Sequence, residues 1–203
     1  MDIMRFISQF LYRIRYWLLW GTIFVTSLVI YFTQFLPYSY TVKSSLYAGI
    51  TTSTSLDGSA INFGVVTSTF DNLINIAKSR GTLEKVSIRL LANSLTYGEE
   101  WKDNQYIQAK HYRQLLQMAP KEVLALVDRK DVEKTLANLT AYRKESSNNF
   151  VYSIFNRPVA FYSAAALESI NIKRAGNSDI LEITYTSADP GITQKTVSIL
   201  IDE

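Results

Sequence analysis

The chain has no cysteine and only one histidine among its 203 residues. The missing thiols exclude disulfide scaffolds, thiolate metal sites and cysteine nucleophiles. The single histidine, His111, has no second histidine or cysteine to complete a usual zinc ligand set, and it follows Lys110 in a probable helix. We therefore predict that His111 is a solvated surface residue and that the chain binds no metal.

Motifs that bind phosphate or activate a nucleophile are also missing. The sequence contains no Gly-x-x-x-x-Gly-Lys-Ser/Thr loop, no Gly-x-Gly-x-x-Gly after a strand and no Gly-x-Ser-x-Gly elbow. Glu99 and Glu100 are carboxylates, but side chains of adjacent residues do not face each other as an acid–base pair must. We predict a protein that is not an enzyme, with no catalytic residues and no cofactor.

The net positive charge outside the N-terminus is small. The formal net charge is +3, and the first fifteen residues contribute +2 of it, from three arginines against Asp2. The other 188 residues therefore carry a net charge of only +1. A nucleic-acid-binding protein would concentrate positive charge on its folded part, so this distribution argues against that class.

A long uncharged segment follows the three arginines. The 27 residues between Arg15 and Lys43 contain no formal charge, and aromatic residues stand at both ends of the apolar part. About twenty helical residues span the hydrocarbon core of a bilayer, and aromatic side chains favour its two interfaces. We predict a cytoplasmic tail over residues 1–15 and a transmembrane helix over residues 16–37 that ends at Pro37.

Two other interpretations of this segment are a buried core helix and a cleaved signal peptide. A core helix would be shorter and would show a polar face, and a signal peptide has a shorter apolar region followed by a small-x-small cleavage site. No convincing site of that kind follows Leu36. Because arginines precede the span, we expect the N-terminus in the cytoplasm and residues 38–203 outside it.

The remainder of the chain predicts an α+β domain. Residues 38–48 read as a strand and residues 51–62 as a loop. The middle of the chain is mostly helical, with breaks at 98–103 and 146–149. We expect Ser68 with Asp71 to cap the first helix and Gly81 to interrupt it. Further helices are expected to begin at Tyr106, Pro120 and Asp131.

The last third changes from helical to strand periodicity. Residues 166–174 and 180–186 alternate around a turn at 175–178, which predicts a β-hairpin. Asp189 and Pro190 then predict the cap and first residue of a final helix. That helix is still running at Glu203, so we expect the domain to be incomplete.

Three stretches, together with the preceding apolar segment, resemble the polysaccharide co-polymerase family, whose members are also called chain-length determinant (Wzz-type) proteins. They are AKSRGTLEKV at 77–86, SDILEITY at 178–185 and DPG at 189–191. The likeness is closest to the exopolysaccharide and capsule branch of Bacteroidetes-like bacteria. It covers only the N-terminal portion of a typical member, because the second transmembrane helix of the family is absent here.

The resemblance implies a membrane-proximal α/β domain, with a small sheet backed by helices, in the bacterial inner membrane. It implies non-enzymatic control of the chain length and export of O-antigen, capsule or exopolysaccharide. The implied partners are the lipid bilayer, further copies of the chain in a ring-like homo-oligomer, the membrane polymerase and the growing glycan. In export systems an outer-membrane channel and a cytoplasmic tyrosine autokinase join them.

The matching motif positions are expected to build the fold or to contact another subunit. In particular, Arg80 is expected to close one helix and Gly81 to turn the chain into the next. The positions are Ser79, Arg80, Gly81, Asp179, Asp189 and Pro190. Two other functions stay open, a periplasmic adaptor of an efflux or secretion pump and a membrane-anchored sensor domain.

Overall fold

The computed structural model describes residues 2–33, 38–49 and 63–203, with side chains from residue 12 of the first range and residue 64 of the last. The chain divides into two compact units, Met1–Tyr38 and Ser39–Glu203. The predicted loop at 51–62 and the predicted helix end at Pro37 lie outside the described residues.

The first unit is one long helix, α1 (Asp2–Thr33). Its part from Tyr12 to Thr33 has a mean hydropathy of 1.5 and is about 33 Å long at the usual helical rise. The hydroxyl groups of Thr22 and Thr26 donate to backbone carbonyls one turn earlier, at 2.9 and 2.7 Å. These bonds satisfy the threonine hydroxyls within the helix, so they do not oppose insertion into a bilayer. The helix is long and apolar enough to cross a membrane, a test that signal sequences also pass.

The second unit contains a three-stranded antiparallel sheet and is of the α+β class, as predicted. Its strands are β1 (Tyr40–Tyr47), β2 (Asn171–Arg174) and β3 (Ile180–Ser187), in the order β1-β3-β2. In the register, Tyr40 lies opposite Ser187 and Asn171 opposite Thr184. The first strand of the unit therefore pairs with its last, which ties the two ends of the domain together.

Helices cover one side of this sheet. The helices of the second unit that the structure describes are α2 (Phe63–Ala77), α3 (Arg80–Tyr97), α4 (Ala109–Met118), α5 (Lys121–Ala125), α6 (Val132–Glu145), α7 (Phe150–Asn156), α8 (Ala164–Glu168) and α9 (Pro190–Asp202). Helix α9 packs against β1, β3 and α3, while α3 also packs against α6 and α8. Leu90 and Leu91 of α3 are fully buried, so this helix forms the centre of the core.

Two predicted helix boundaries are wrong. Ser68 and Asp71 lie inside α2, where the Ser68 hydroxyl donates to the backbone carbonyl of Val65. Arg80 does not close α2 but is the first residue of α3, because Ser79 is the N-cap and its hydroxyl accepts from the backbone N–H of Thr82. The chain thus turns at Lys78 and Ser79, before Gly81.

Short polar caps explain the other differences from the prediction. Helix α4 begins at Ala109 rather than Tyr106, since the Asn104 side chain accepts from the N–H groups of Tyr106 and Ile107. Helices α7 and α8, which Asn149 and Ser163 cap, were not predicted. Residues 166–168, predicted as strand, therefore belong to α8.

Candidate functional site

Asp189 connects the start of α9 to the start of α4. Its carboxylate is fully buried, and Oδ1 accepts from the backbone N–H of Ile192 at 3.1 Å. Oδ2 accepts from the backbone N–H of Gln108 at 2.8 Å. Gln108 is the N-cap of α4, and its side chain makes no cap hydrogen bond. Asp189, 81 residues later in the chain, accepts instead from the free backbone N–H of Gln108 itself at this helix start.

The prediction that His111 is a solvated surface residue is wrong. Its side chain is only 12% exposed, and its Nδ1 lies 2.8 Å from Asp189 Oδ2. A carboxylate can only accept, so Nδ1 carries the proton and the ring is held in one orientation. The ring of Phe161 stands edge-on to the imidazole, with centroids 4.9 Å apart. His111 is therefore a largely buried group with a fixed ring orientation.

A groove of about 410 Å³ lies beside this histidine, and we call it the His111 groove. One wall is α4, with His111, Gln114 and Gln117, and the other is residues 158–162, which connect α7 to α8. Phe161 lies in this second wall with a φ of 75°, in the left-handed region that non-glycine residues rarely adopt. A strained residue beside an oriented histidine marks the groove as the candidate site of the second unit.

Burial also perturbs the phenols near this site. Desolvation, reinforced by the negative charge of Asp189, raises the pKa of Tyr162 well above its ordinary value. Desolvation likewise raises the pKa of Tyr112 in α4, against an opposing effect of the Arg129 guanidinium. Both phenols therefore stay neutral at physiological pH and pack as part of the core behind α4.

Pro190 and Gly191 complete the turn that follows Asp189. Pro190 is the first residue of α9, as predicted, where its missing N–H needs no partner. A Cβ on Gly191 would lie 2.7 Å from the backbone carbon of Tyr106 and 2.9 Å from the backbone nitrogen of Ile107. Glycine is therefore required here by the close approach of the segment before α4.

The remaining motif residues lie in two other places. The guanidinium of Arg80 donates to the Asn156 side chain and stands 5.3 Å from the Phe155 ring centroid, so it joins α3 to α7. A Cβ on Gly81 would contact no atom within 4 Å. Asp179 is buried in front of β3, and its backbone carbonyl accepts from Ala48 N–H at 2.8 Å.

The six predicted motif residues therefore do not form one site. Only Asp189 takes part in the candidate site, through His111, and its neighbour Pro190 starts the helix there. Sequence reasoning missed His111, Gln114, Gln117 and Phe161 as site residues. No local pattern could have found them, because the contacts join residues separated by about fifty to eighty positions.

Other candidate chemistry is sparse in the part of the chain that the structure describes. Within residues 2–33, 38–49 and 63–203, no group of three or more histidine and acidic side chains could hold a metal ion. Glu99 and Glu100 are both exposed, next to Trp101, which is 86% exposed. These three residues lie in the loop between α3 and α4.

Comparison with known proteins gives no match: no family model, curated protein or solved structure is similar to this chain.

Proposed function

We propose that the chain is a membrane-anchored, non-enzymatic regulator and scaffold of surface polysaccharide chain length and export. The observation that carries the proposal is α1 in combination with the three motif stretches. Trp17 and Phe24 are 83% and 68% exposed in an apolar helix that lacks any charge after Arg15. A bilayer is the environment in which such a surface is stable.

The charge distribution supports one orientation in the bacterial inner membrane. Arg5, Arg13 and Arg15 precede the apolar part of α1, and positively charged flanks stay in the cytoplasm. The N-terminus is then cytoplasmic and the α+β unit periplasmic. In this position the α+β unit meets a glycan that is polymerised on the outer side of the membrane.

Self-association into a ring-like homo-oligomer is part of the proposal. Val65, Leu73 and Ile76 of α2 are exposed, and their spacing puts them on one face of the helix. An exposed apolar stripe of this kind is typical of a helix that packs against another molecule. The further proposed partners are the membrane polymerase, the growing glycan and, in export systems, an outer-membrane channel and a tyrosine autokinase.

The proposal is tested by deleting the gene and separating the extracted surface polysaccharide by size. We expect loss of the preferred chain length, or of long polymer, and its return with the wild-type gene. Val25→Arg, which puts a charge in the middle of α1, should fail to restore it at equal expression, whereas the matched control Val25→Leu should succeed. An unchanged size distribution after deletion would reject this role and favour a pump adaptor or a sensor.

A further inference from the structure

The His111 groove has the make-up of a ligand site rather than a gap in the core. Its volume of about 410 Å³ falls within the range of small-molecule sites. The amide groups of Gln114 and Gln117, both exposed, stand in one wall with the imidazole of His111. Met118 and the ring of Phe161 add apolar surface. Amides beside an aromatic surface suit a ligand with hydroxyl groups and an apolar face, as a sugar ring has.

The walls are held in place before any ligand arrives. His111 is fixed by the fully buried Asp189, which is itself bonded to the backbone of α4 and α9. Phe161 keeps a left-handed backbone and packs its ring edge-on to the imidazole. Such preorganisation reduces the entropy lost on binding.

The exposed charges beside the groove are positive, whereas the buried carboxylate of Asp189 lies behind His111. Helix α4 and residues 157–163, which include the two walls, contain Lys110, Arg113 and Arg157 but no aspartate or glutamate. These three cations stand beside the groove and do not line it. All three cations are exposed, and none has an acidic partner within 4.0 Å among the residues that the structure describes. On α4, Lys110 lies one turn before Gln114, and Arg113 one turn before Gln117. The cations therefore flank the amides, although the unit as a whole is nearly neutral.

We infer that the His111 groove binds an acidic sugar unit, such as a uronate, of a polysaccharide. The rings of Phe161 and His111 contact the apolar face of the sugar. The amides of Gln114 and Gln117 bond its hydroxyls, and the flanking cations attract its carboxylate. This inference rests on the proposed function, because it identifies the class of glycan that the scaffold would engage.

The experiment is a calorimetric titration of the full chain in nanodiscs with tetragalacturonate, and with uncharged maltotetraose as the reference probe. We expect saturable binding of tetragalacturonate that weakens with added salt, and at least tenfold weaker binding of maltotetraose. The double variant Gln114→Ala, Gln117→Ala should lose about tenfold in affinity. Because both glutamines are exposed, the double variant should keep the circular dichroism spectrum of the wild-type protein. The matched control is Gln194→Ala, an exposed glutamine on α9 outside the groove.

Three results would overturn the inference: no saturable binding of tetragalacturonate, equal binding of both probes, or an unchanged affinity in the double variant. The gene deletion separates this outcome from failure of the proposed function. Altered polysaccharide size without galacturonate binding would leave the scaffold role standing and remove the site. Galacturonate binding that the double variant abolishes, with unchanged polysaccharide size after deletion, would support the site and reject the scaffold role.

Discussion

The buried carboxylate of Asp189 should contribute far more to stability than an ordinary helix cap. In Asp189→Ala the N–H groups of Gln108 and Ile192 and the imidazole Nδ1 of His111 all lose their acceptor. Asp189 itself is fully buried, so water has little access to replace it. Each buried donor left without a partner costs about 1–3 kcal/mol, and three donors lose their acceptor here. We expect a loss of about 3–5 kcal/mol in the free energy of unfolding.

Asp131 offers a matched control with the same chemistry at the surface. It caps α6 by accepting from the N–H groups of Glu133 and Lys134, at 2.9 and 3.1 Å, but the residue is exposed. Asp131→Ala should cost only about 1 kcal/mol, the usual value for a lost N-cap, because water can bond the freed donors. The two substitutions therefore differ in two respects: Asp189 is buried, and it also accepts hydrogen bonds from Gln108 and His111 at the start of a second helix, α4.

The measurement is urea unfolding of the full chain in detergent micelles, followed by circular dichroism at 222 nm. Asp189→Asn should fall between wild type and Asp189→Ala, because Oδ1 can still cap α9 while the amide nitrogen opposes the donors of Gln108 and His111. If Asp189→Ala and Asp131→Ala lose the same free energy to within about 1 kcal/mol, the argument from buried, unreplaced acceptors is refuted.

The remaining predictions concern packing, alkaline stability and topology. Gly191→Ala should destabilise the protein by about 1–3 kcal/mol in the same urea assay, since the new Cβ would lie 2.7 Å from neighbouring backbone. The control Gly81→Ala, whose Cβ would meet no atom within 4 Å, should be neutral or should stabilise by up to about 1 kcal/mol. Equal effects of the two substitutions would contradict this packing argument. Burial raises the pKa of Tyr185 from 10.0 to about 12, so this tyrosine loses its proton at lower pH in the unfolded chain than in the folded one. The free energy of unfolding should therefore fall by about 2–3 kcal/mol between pH 10 and 12. Tyr185→Phe should make that fall shallower, and an unchanged slope would disprove the role of Tyr185. The chain has no cysteine, so Trp101→Cys and Asp2→Cys can be labelled singly in cells with permeabilised outer membranes; an impermeant maleimide should modify only position 101, and the reverse pattern would invert the proposed topology.

Local patterns were enough to predict much of the fold. The alternation at 38–48 and 180–186 predicted β1 and β3, and the polar residues Asp131 and Asp189 were correctly identified as helix caps. These predictions succeed because strand periodicity and capping depend on residues within three or four positions of each other. The prediction that Arg80 closes a helix and that Gly81 turns the chain failed, because the Ser79 hydroxyl caps a helix that already begins at Arg80.

The candidate site could not be predicted in the same way. A lone histidine next to a lysine in a helix was predicted to be a surface residue, yet His111 is held against an aspartate 78 positions later. The left-handed backbone of Phe161 has no marker in its sequence either, because glycine or asparagine would be expected there.

The sequence by itself determined the apolar N-terminal helix, the α+β class, most helix and strand positions and the cap at Asp189, since each depends on composition or on short-range periodicity. Only the tertiary structure decided that β1 pairs with β3 and that one buried carboxylate serves two helices. It also decided that His111, Gln114, Gln117 and Phe161 line a single groove. These features arise from packing between distant segments, where burial and shape complementarity select the partners and no neighbouring residue records the choice.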